Sequence, residues 1–261
     1  IQLAHRYIHH WLNAKNGKGH GMHSPFVYSF ITRILNDRTN YSCYDKVESL
    51  RKELQKDERK LEVVDLGAGS TNSSGKTRSV AAIAKHAAKP KKWGQLLFRI
   101  VKYYEPVHVL ELGTSLGLSS AYLASGHEKA VLTTLEGAPQ IAEKAKLNFE
   151  RLGLTNIHQL IGNFDELLPD LLKKEKTWDL VFVDGNHRKE PTLRFFEWIV
   201  GRTGPGSVII FDDIHWSREM EEAWDHIRRD ERVTCSLDLF NIGVVFFREE
   251  FHEKLDFSIR T

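Results

Sequence analysis

Cysteine is scarce in this chain, and long apolar runs are missing. The sequence of 261 residues holds two cysteines, a number that favours a reducing compartment and argues against a disulfide framework or a cysteine-based zinc site. Its apolar runs are far shorter than the roughly 18 residues that a membrane span needs. The segment IQLAHRYIHH lacks the apolar core of a signal peptide. We therefore expect a cytoplasmic protein that does not associate with membranes.

An excess of one charge sign is missing as well. The chain has 37 basic and 35 acidic side chains and a formal net charge of +2. Nothing in this balance requires a polyanionic partner, so we expect no binding to nucleic acid. Hydrophobic residues make up 41% of the chain, which is enough to bury a full core at this length.

The most informative stretch runs from Val107 to Gly137. An apolar run ends in an acid and a glycine turn, a helix-compatible segment follows, and a second apolar run ends at Glu136. This order predicts strand, turn, helix and strand. Because Gly113 and Gly117 lack Cβ, a ligand can approach the backbone there, and the helix that follows aims its free N–H groups at the same place.

The position of Glu136 predicts a nucleoside-binding site. Glu136 lies 23 positions past Gly113, near the spacing at which the tip of a neighbouring strand carries the carboxylate that binds two ribose hydroxyls. A dinucleotide fingerprint would need glycine where Ser115 stands, so NAD is disfavoured. The same five residues also match the Gly-x-Ser-x-Gly elbow of α/β-hydrolases, with Ser115 as the nucleophile. A hydrolase mechanism would not explain why an acidic residue, Glu136, stands at the end of the second predicted strand.

Residues 110–117 (LELGTSLG) and 134–137 (TLEG) resemble the opening motifs of class I S-adenosylmethionine-dependent methyltransferases, in particular the catechol O-methyltransferase-like branch. The resemblance covers roughly residues 96–248. It implies a Rossmann-like fold with a doubly wound, mostly parallel, seven-stranded sheet, S-adenosylmethionine as cofactor, and the hydroxyl of a small molecule as methyl acceptor. Together with the local chemistry, it predicts that the cofactor is bound by Glu111, Gly113, Thr114, Ser115, Gly117, Ser119, Glu136, Gly137, Gly162, Asn163, Phe164 and Asp184.

Strand and helix patterns alternate regularly after residue 93, which predicts a parallel sheet covered on both faces with its binding site at the carboxyl ends of the strands. We expect a methyltransferase domain over residues 93–261 and a mainly helical extension over residues 1–92. The extension contains a polar loop that ends in Gly75, Lys76 and Thr77. A phosphate-binding P-loop is an alternative there, although Ser70 occupies the position of its first glycine. The sequence is also compatible with a homodimer.

Three carboxylates follow neighbouring predicted strands, namely Asp184, Asp212 and Asp213. Their convergence at one sheet edge would create either a site for a divalent cation or an acid/base cluster. In the catechol O-methyltransferase-like family the matching positions hold Mg²⁺ as Asp, Asp and Asn, so Asp213 departs from the family pattern. His187 stands where metal-dependent relatives place a lysine base. We therefore predict Asp184, Asp212 and Asp213 as ligands of Mg²⁺ or another divalent cation, and Asp184, His187 and Asp213 as catalytic residues.

Overall fold

The computed structural model describes residues 2–15, 17–20, 22–63, 76–86, 88–174 and 177–261. The chain divides into two compact units. We call them the central unit (Arg38–Leu171) and the terminal unit (Ile1–Asp37 together with Leu172–Thr261). The sequence predicts a boundary near residue 92, between a helical extension and a methyltransferase domain. The division into two compact units does not test this boundary, which stays a prediction.

Between residues 91 and 238 the elements alternate between helix and strand, as the sequence predicts for the chain after residue 93. In chain order the elements of the described residues are α1 (Gln2–Asn13), α2 (Pro25–Ser29), a π-helical segment (Phe30–Leu35), α3 (Ser42–Leu54), β1 (Lys60–Val63), β2 (Lys76–Ser79), α4 (Val80–His86), α5 (Lys91–Tyr104), β3 (His108–Leu112), α6 (Leu118–Ser125), β4 (Val131–Glu136), α7 (Pro139–Leu152), β5 (Ile157–Ile161), α8 (Phe164–Lys174), β6 (Leu180–Val183), α9 (Lys189–Val200), β7 (Val208–Asp212), α10 (Arg218–Arg229), β8 (Cys235–Asp238), β9 (Ile242–Phe246) and β10 (Leu255–Ser258). Within the described residues, no helix combines the length and the apolar content needed to cross a bilayer.

The central unit holds the strand, turn, helix and strand that the sequence predicts. β3, β4 and β5 pair in parallel, with Leu112 opposite Leu135 and Glu136 opposite Ile161. Apolar residues of β3 and β4, among them Leu110 and Leu132, are fully buried. Since parallel strands end at a common edge, this register brings the ends of β3, β4 and β5 together.

The terminal unit carries five further strands. β6 and β7 are parallel, β9 runs antiparallel to both β7 and β8, and β10 is parallel to β8. β8 and β9 thus form an antiparallel pair near the end of the sequence. The predicted α/β fold with mostly parallel strands is confirmed, with β10 as an eighth strand beyond the seven predicted. β10 has only four residues and follows a charged turn, so its hydrophobic pattern is too short to be recognised in the sequence.

β1 and β2 form a separate antiparallel hairpin in the central unit, with Val63 opposite Lys76 and Glu62 opposite Thr77. Gly75 and most of the predicted polar loop lie outside the described residues. A P-loop needs its lysine and threonine to open a helix whose N–H groups face phosphate. Because Lys76 and Thr77 belong to a strand instead, the P-loop alternative is not supported.

Ion pairs attach α1 to the strands of the terminal unit. The Asp238 carboxylate lies 3.1 Å from His10 Nε2 and 2.9 Å from His215 Nε2. Glu221 continues the network, 3.0 Å from His215 Nδ1 and 3.1 Å from Arg6 Nε. Burial alone would raise the pKa of Asp238, but the hydrogen bonds from both histidines outweigh it and hold the pKa below its usual range. Burial likewise opposes the charged form of His215, and its two carboxylate partners raise its pKa nevertheless.

We expect Asp238→Asn to lower the free energy of unfolding by about 3 kcal/mol, because it removes one partner of a buried ionic network. The difference from the wild type should be largest between about pH 4 and pH 6.5, where the carboxylate is ionised and the imidazole is protonated in the unfolded chain. It should shrink at lower pH as Asp238 takes up a proton, and at higher pH as His215 loses its proton in the folded state. Urea unfolding across this pH range measures both effects, and a constant difference would contradict the assignment.

Candidate functional site

The glycine turn after β3 is a tight backbone loop that leads directly into α6. Gly113 and Thr114 both donate their N–H groups to the carbonyl oxygen of Leu135 on β4, at 3.0 and 3.1 Å. Gly113, Ser115 and Gly117 all have positive φ, at 104°, 49° and 79°. These left-handed conformations let the chain reverse within five residues, so that the N-terminus of α6 follows the turn immediately.

Glu111 lies beneath this turn and is fully buried. Its carboxylate accepts hydrogen bonds from the hydroxyls of Ser120, on α6, and Thr134, on β4, the latter at 2.7 Å. The Thr134 hydroxyl also lies 2.6 Å from that of Thr114 in the turn. One buried carboxylate therefore ties two strands, the turn and the helix together. Sequence reasoning identified Glu111 but missed Ser120 and Thr134, whose hydroxyls are interpretable only once the register is known.

Glu136 ends β4 and faces the glycine turn. Its Oε2 accepts the N–H of Ser115 at 2.8 Å, and its Oε1 accepts the N–H of Ala138 at 2.9 Å. Burial raises the pKa of Glu136, while hydrogen bonds from the N–H groups of Ala138, Ser115 and Gly137 lower it in part. Because each carboxylate oxygen has two acceptor sites, these bonds fix the carboxylate and still leave it able to accept ligand hydroxyls.

The loop after β5 lies at the same edge of the central unit. Gly162 donates its N–H to the carbonyl oxygen of Glu136 at 2.9 Å. The side-chain oxygen of Asn163 accepts the N–H of Asp165 at 3.0 Å, so Asn163 is the N-terminal cap of α8. Phe164 is partly buried at the start of this helix. On the first turn of α6, Ser119 is buried. The structure thus brings the predicted residues of β3, β4 and β5 to one edge, and their contacts to a cofactor stay a prediction.

A second group of polar residues lies in the terminal unit, where β6 and β7 end side by side. Val183 pairs with Phe211 in register, and Asp184 follows β6 while Asp212 ends β7. One potential ligand atom each from Asp184, His187 and Asp212 lies within 4.8 Å of the others. His187 Nε2 is 3.7 Å from Asp184 Oδ1. This set of two carboxylates and an imidazole suits a divalent cation.

Asp213, predicted as the third ligand, is outside that group of three in the described part of the chain. Its backbone adopts a left-handed conformation with φ at 53°. Its N–H donates to the carbonyl oxygen of Asn241 at 2.7 Å, and its own carbonyl oxygen accepts the N–H of Trp216 at 2.9 Å. The structure brings His187 to Asp184 and Asp212 in its place. The sequence signal for this was the spacing of three residues between Asp184 and His187, which we interpreted as marking a base.

Several known proteins are similar to this chain. Residues 110–214 match a family model described as a methyltransferase domain. The chain is 30% identical over 135 residues to the O-methyltransferase imqG of Aspergillus flavus, covering 49% of this chain and 53% of that protein. It is 27% identical over 178 residues to the catechol O-methyltransferase of Bos taurus, covering 62% of this chain and 64% of the bovine protein. Across six such curated relatives, the chain spans between 45% and 64% of their length.

Among solved structures, the O-methyltransferase from Bacillus cereus in complex with SAH has a TM-score of 0.53 and 21% sequence identity, covering 85% of this chain and 97% of that one. At this identity the likeness establishes the fold. The predicted Rossmann-like fold and the predicted resemblance are therefore confirmed. The hydrolase alternative is not supported, since Ser115 lies within the residues that match the methyltransferase domain model.

We expect Gly117→Ala to destabilise the protein more than Gly153→Ala. Both glycines are left-handed, with φ at 79° and 70°, so each alanine costs about 1–2 kcal/mol from the backbone alone. A Cβ at Gly117 would lie 2.4 Å from the Phe149 ring, whereas one at Gly153 has nothing within 4 Å. The clash should add about 1–3 kcal/mol. Equal unfolding free energies for the two variants in urea would show that the turn is not packed against Phe149.

Proposed function

We propose that this protein, whose residues 110–214 match a methyltransferase domain, is a class I S-adenosylmethionine-dependent methyltransferase that transfers the methyl group of the cofactor to a hydroxyl oxygen of a small molecule. The single observation that carries the proposal is the pairing of the glycine turn with Glu136, which joins a fixed carboxylate to the turn at 2.8 Å. The names of the curated relatives, both O-methyltransferases, support an oxygen as the acceptor atom.

The cofactor-binding part of the proposal rests on the central unit. Glu136 would accept hydrogen bonds from both ribose hydroxyls, because its carboxylate is held in place and is acceptor-only when ionised. Gly113 would let the cofactor lie against the backbone. The N-terminus of α6, next to Ser119, would favour the carboxylate of the methionine part through its free N–H groups. Asn163 and Phe164 would flank the adenine.

The protein does not need to activate the methyl group, since a sulfonium methyl group is already a strong electrophile. The protein must position the acceptor and remove its proton. We propose that Asp184, His187 and Asp212 bind a divalent cation, which when bound would lower the pKa of a coordinated hydroxyl. Without a cation, the ring nitrogen of His187 could accept the proton directly, as predicted from the sequence. The two arrangements are exclusive at that nitrogen, because a lone pair given to a metal cannot accept a proton.

We expect Glu136→Ala to weaken the binding of S-adenosylhomocysteine by at least about tenfold, because it removes the charged acceptor of two hydrogen bonds and one such bond is worth roughly 1.5–3 kcal/mol. Isothermal titration calorimetry measures the dissociation constant. The matched control is Glu150→Ala, which removes an exposed glutamate from α7 of the same unit and should leave the affinity unchanged. Wild-type affinity in Glu136→Ala, or a thermal shift with ATP in place of S-adenosylhomocysteine, would contradict the proposed site.

We expect the wild type to bind one Mn²⁺, used as a spectroscopic substitute for Mg²⁺, and Asp212→Asn to lose this binding by at least about tenfold. Electron paramagnetic resonance of free Mn²⁺ measures the bound fraction. Glu219→Gln, an exposed carboxylate of α10 in the same unit, is the control. If the wild type binds no Mn²⁺ and turnover with a screened acceptor resists chelation, the metal-free arrangement with His187 as base replaces the metal site.

A further inference from the structure

Part of the apolar surface of α1 is directed away from the unit that carries it. Its inward positions are Arg6, His10 and Ala14 just beyond its end, spaced four residues apart, and His10 and Ala14 are buried. Leu3 and Tyr7 lie on the same side as His10, and the Tyr7 ring contacts the buried Phe240 ring that His10 also contacts. Ile8, Trp11 and Leu12 lie on other sides of the helix and are 57%, 47% and 63% exposed. Amphipathic helices of globular proteins ordinarily place the apolar stripe towards the core. Here Ile8 and Leu12 point away from it.

Charge contacts impose this orientation. Arg6 pairs with Glu221 at 3.1 Å, and His10 pairs with the buried Asp238 at 3.1 Å. A rotation of α1 that buried Leu12 would withdraw His10 from Asp238 and leave a buried carboxylate with one partner fewer, which costs several kilocalories per mole. The apolar face of α1 is therefore held outward by the same network that attaches the helix.

The surroundings of this face are cationic. Residues 1–36 contain no aspartate and no glutamate. Lys15, directly after α1, is exposed. The Arg260 guanidinium lies 4.4 Å from the centre of the Trp11 ring. The outward face therefore combines the aliphatic side chains of Ile8 and Leu12 and the ring of Trp11 with a rim of positive charge.

We propose that α1 lies in the interface of an anionic lipid bilayer, with its outward apolar face among the acyl chains and its cationic rim at the headgroups. This composition is that of helices that lie in the plane of a membrane rather than across it. Tryptophan favours the boundary between water and hydrocarbon, and each nearby lysine or arginine attracts anionic lipid. A second copy of the chain fits less well, because a two-fold contact through α1 would bring the two cationic rims together.

The proposal differs from the sequence-based expectation that the protein does not associate with membranes. That expectation rested on the missing span, and a helix in the membrane plane needs no span. It also does not depend on the proposed methyl transfer, since the residues concerned are those of α1 and its rim.

The test is flotation of the full chain with vesicles of phosphatidylcholine alone or of phosphatidylcholine mixed with phosphatidylglycerol. We expect binding to the mixed vesicles, a blue shift of tryptophan fluorescence, and weaker binding at high salt. Leu12→Ser should weaken binding by at least about tenfold, because it removes a buried leucine from the lipid contact. Its matched control is Leu147→Ser, a leucine of α7 with 46% exposure, which should bind like the wild type. Lys15→Glu should weaken binding to the mixed vesicles.

Thermal unfolding of all three variants establishes that they are folded. The proposal is overturned if the wild type floats with neither kind of vesicle, or if Leu12→Ser binds as tightly as the wild type. It is also overturned if sedimentation shows a dimer that Leu12→Ser dissociates while no lipid is bound, because the apolar face then belongs to a second copy of the chain.

Discussion

The buried carboxylate of Glu111 is the interaction on which the glycine turn depends. A carboxylate without exposure is costly unless hydroxyl or amide groups compensate for its lost hydration. Ser120 and Thr134 contribute hydroxyl groups from α6 and β4, so the turn, the helix and the second strand can form only together. The left-handed residues of the turn are then tolerated, because the hydrogen bonds around them determine the backbone. Glu136 in turn receives a N–H from that backbone.

In the terminal unit, the register of two parallel strands brings the polar residues together. Because Val183 lies opposite Phe211, the residue that follows β6 and the residue that ends β7 emerge next to each other. Two carboxylates that are far apart in the sequence therefore meet. The loop after β6 returns His187 to this place. The loop after β7 does not do the same for Asp213, since its N–H and carbonyl oxygen are committed to Asn241 and Trp216.

The network around Asp238 determines how the terminal unit presents α1. Hydrophobic burial alone would place Leu12 or Ile8 inward, and about 2 kcal/mol per side chain would be gained. The ion pairs of Asp238 and Glu221 outweigh that gain, because a buried carboxylate that loses a partner costs more. The same network reaches His215 in the loop beyond Asp213. Attachment of α1 and the conformation of that loop are therefore coupled through one carboxylate.

The sequence by itself determined the order of strand, glycine turn, helix and strand around Gly113, and the placement of Glu136, Asp184 and Asp212 at strand ends. Apolar periodicity and glycine act over a few residues, so such features can be recognised locally. Only the tertiary structure decided that His187 joins the two aspartates, that Asp213 does not, and that β10 pairs with β8. It also decided the contact between His10 and Asp238, whose positions are 228 residues apart. Hydrogen bonds over such separations depend on how the elements pack, and no local pattern encodes that packing.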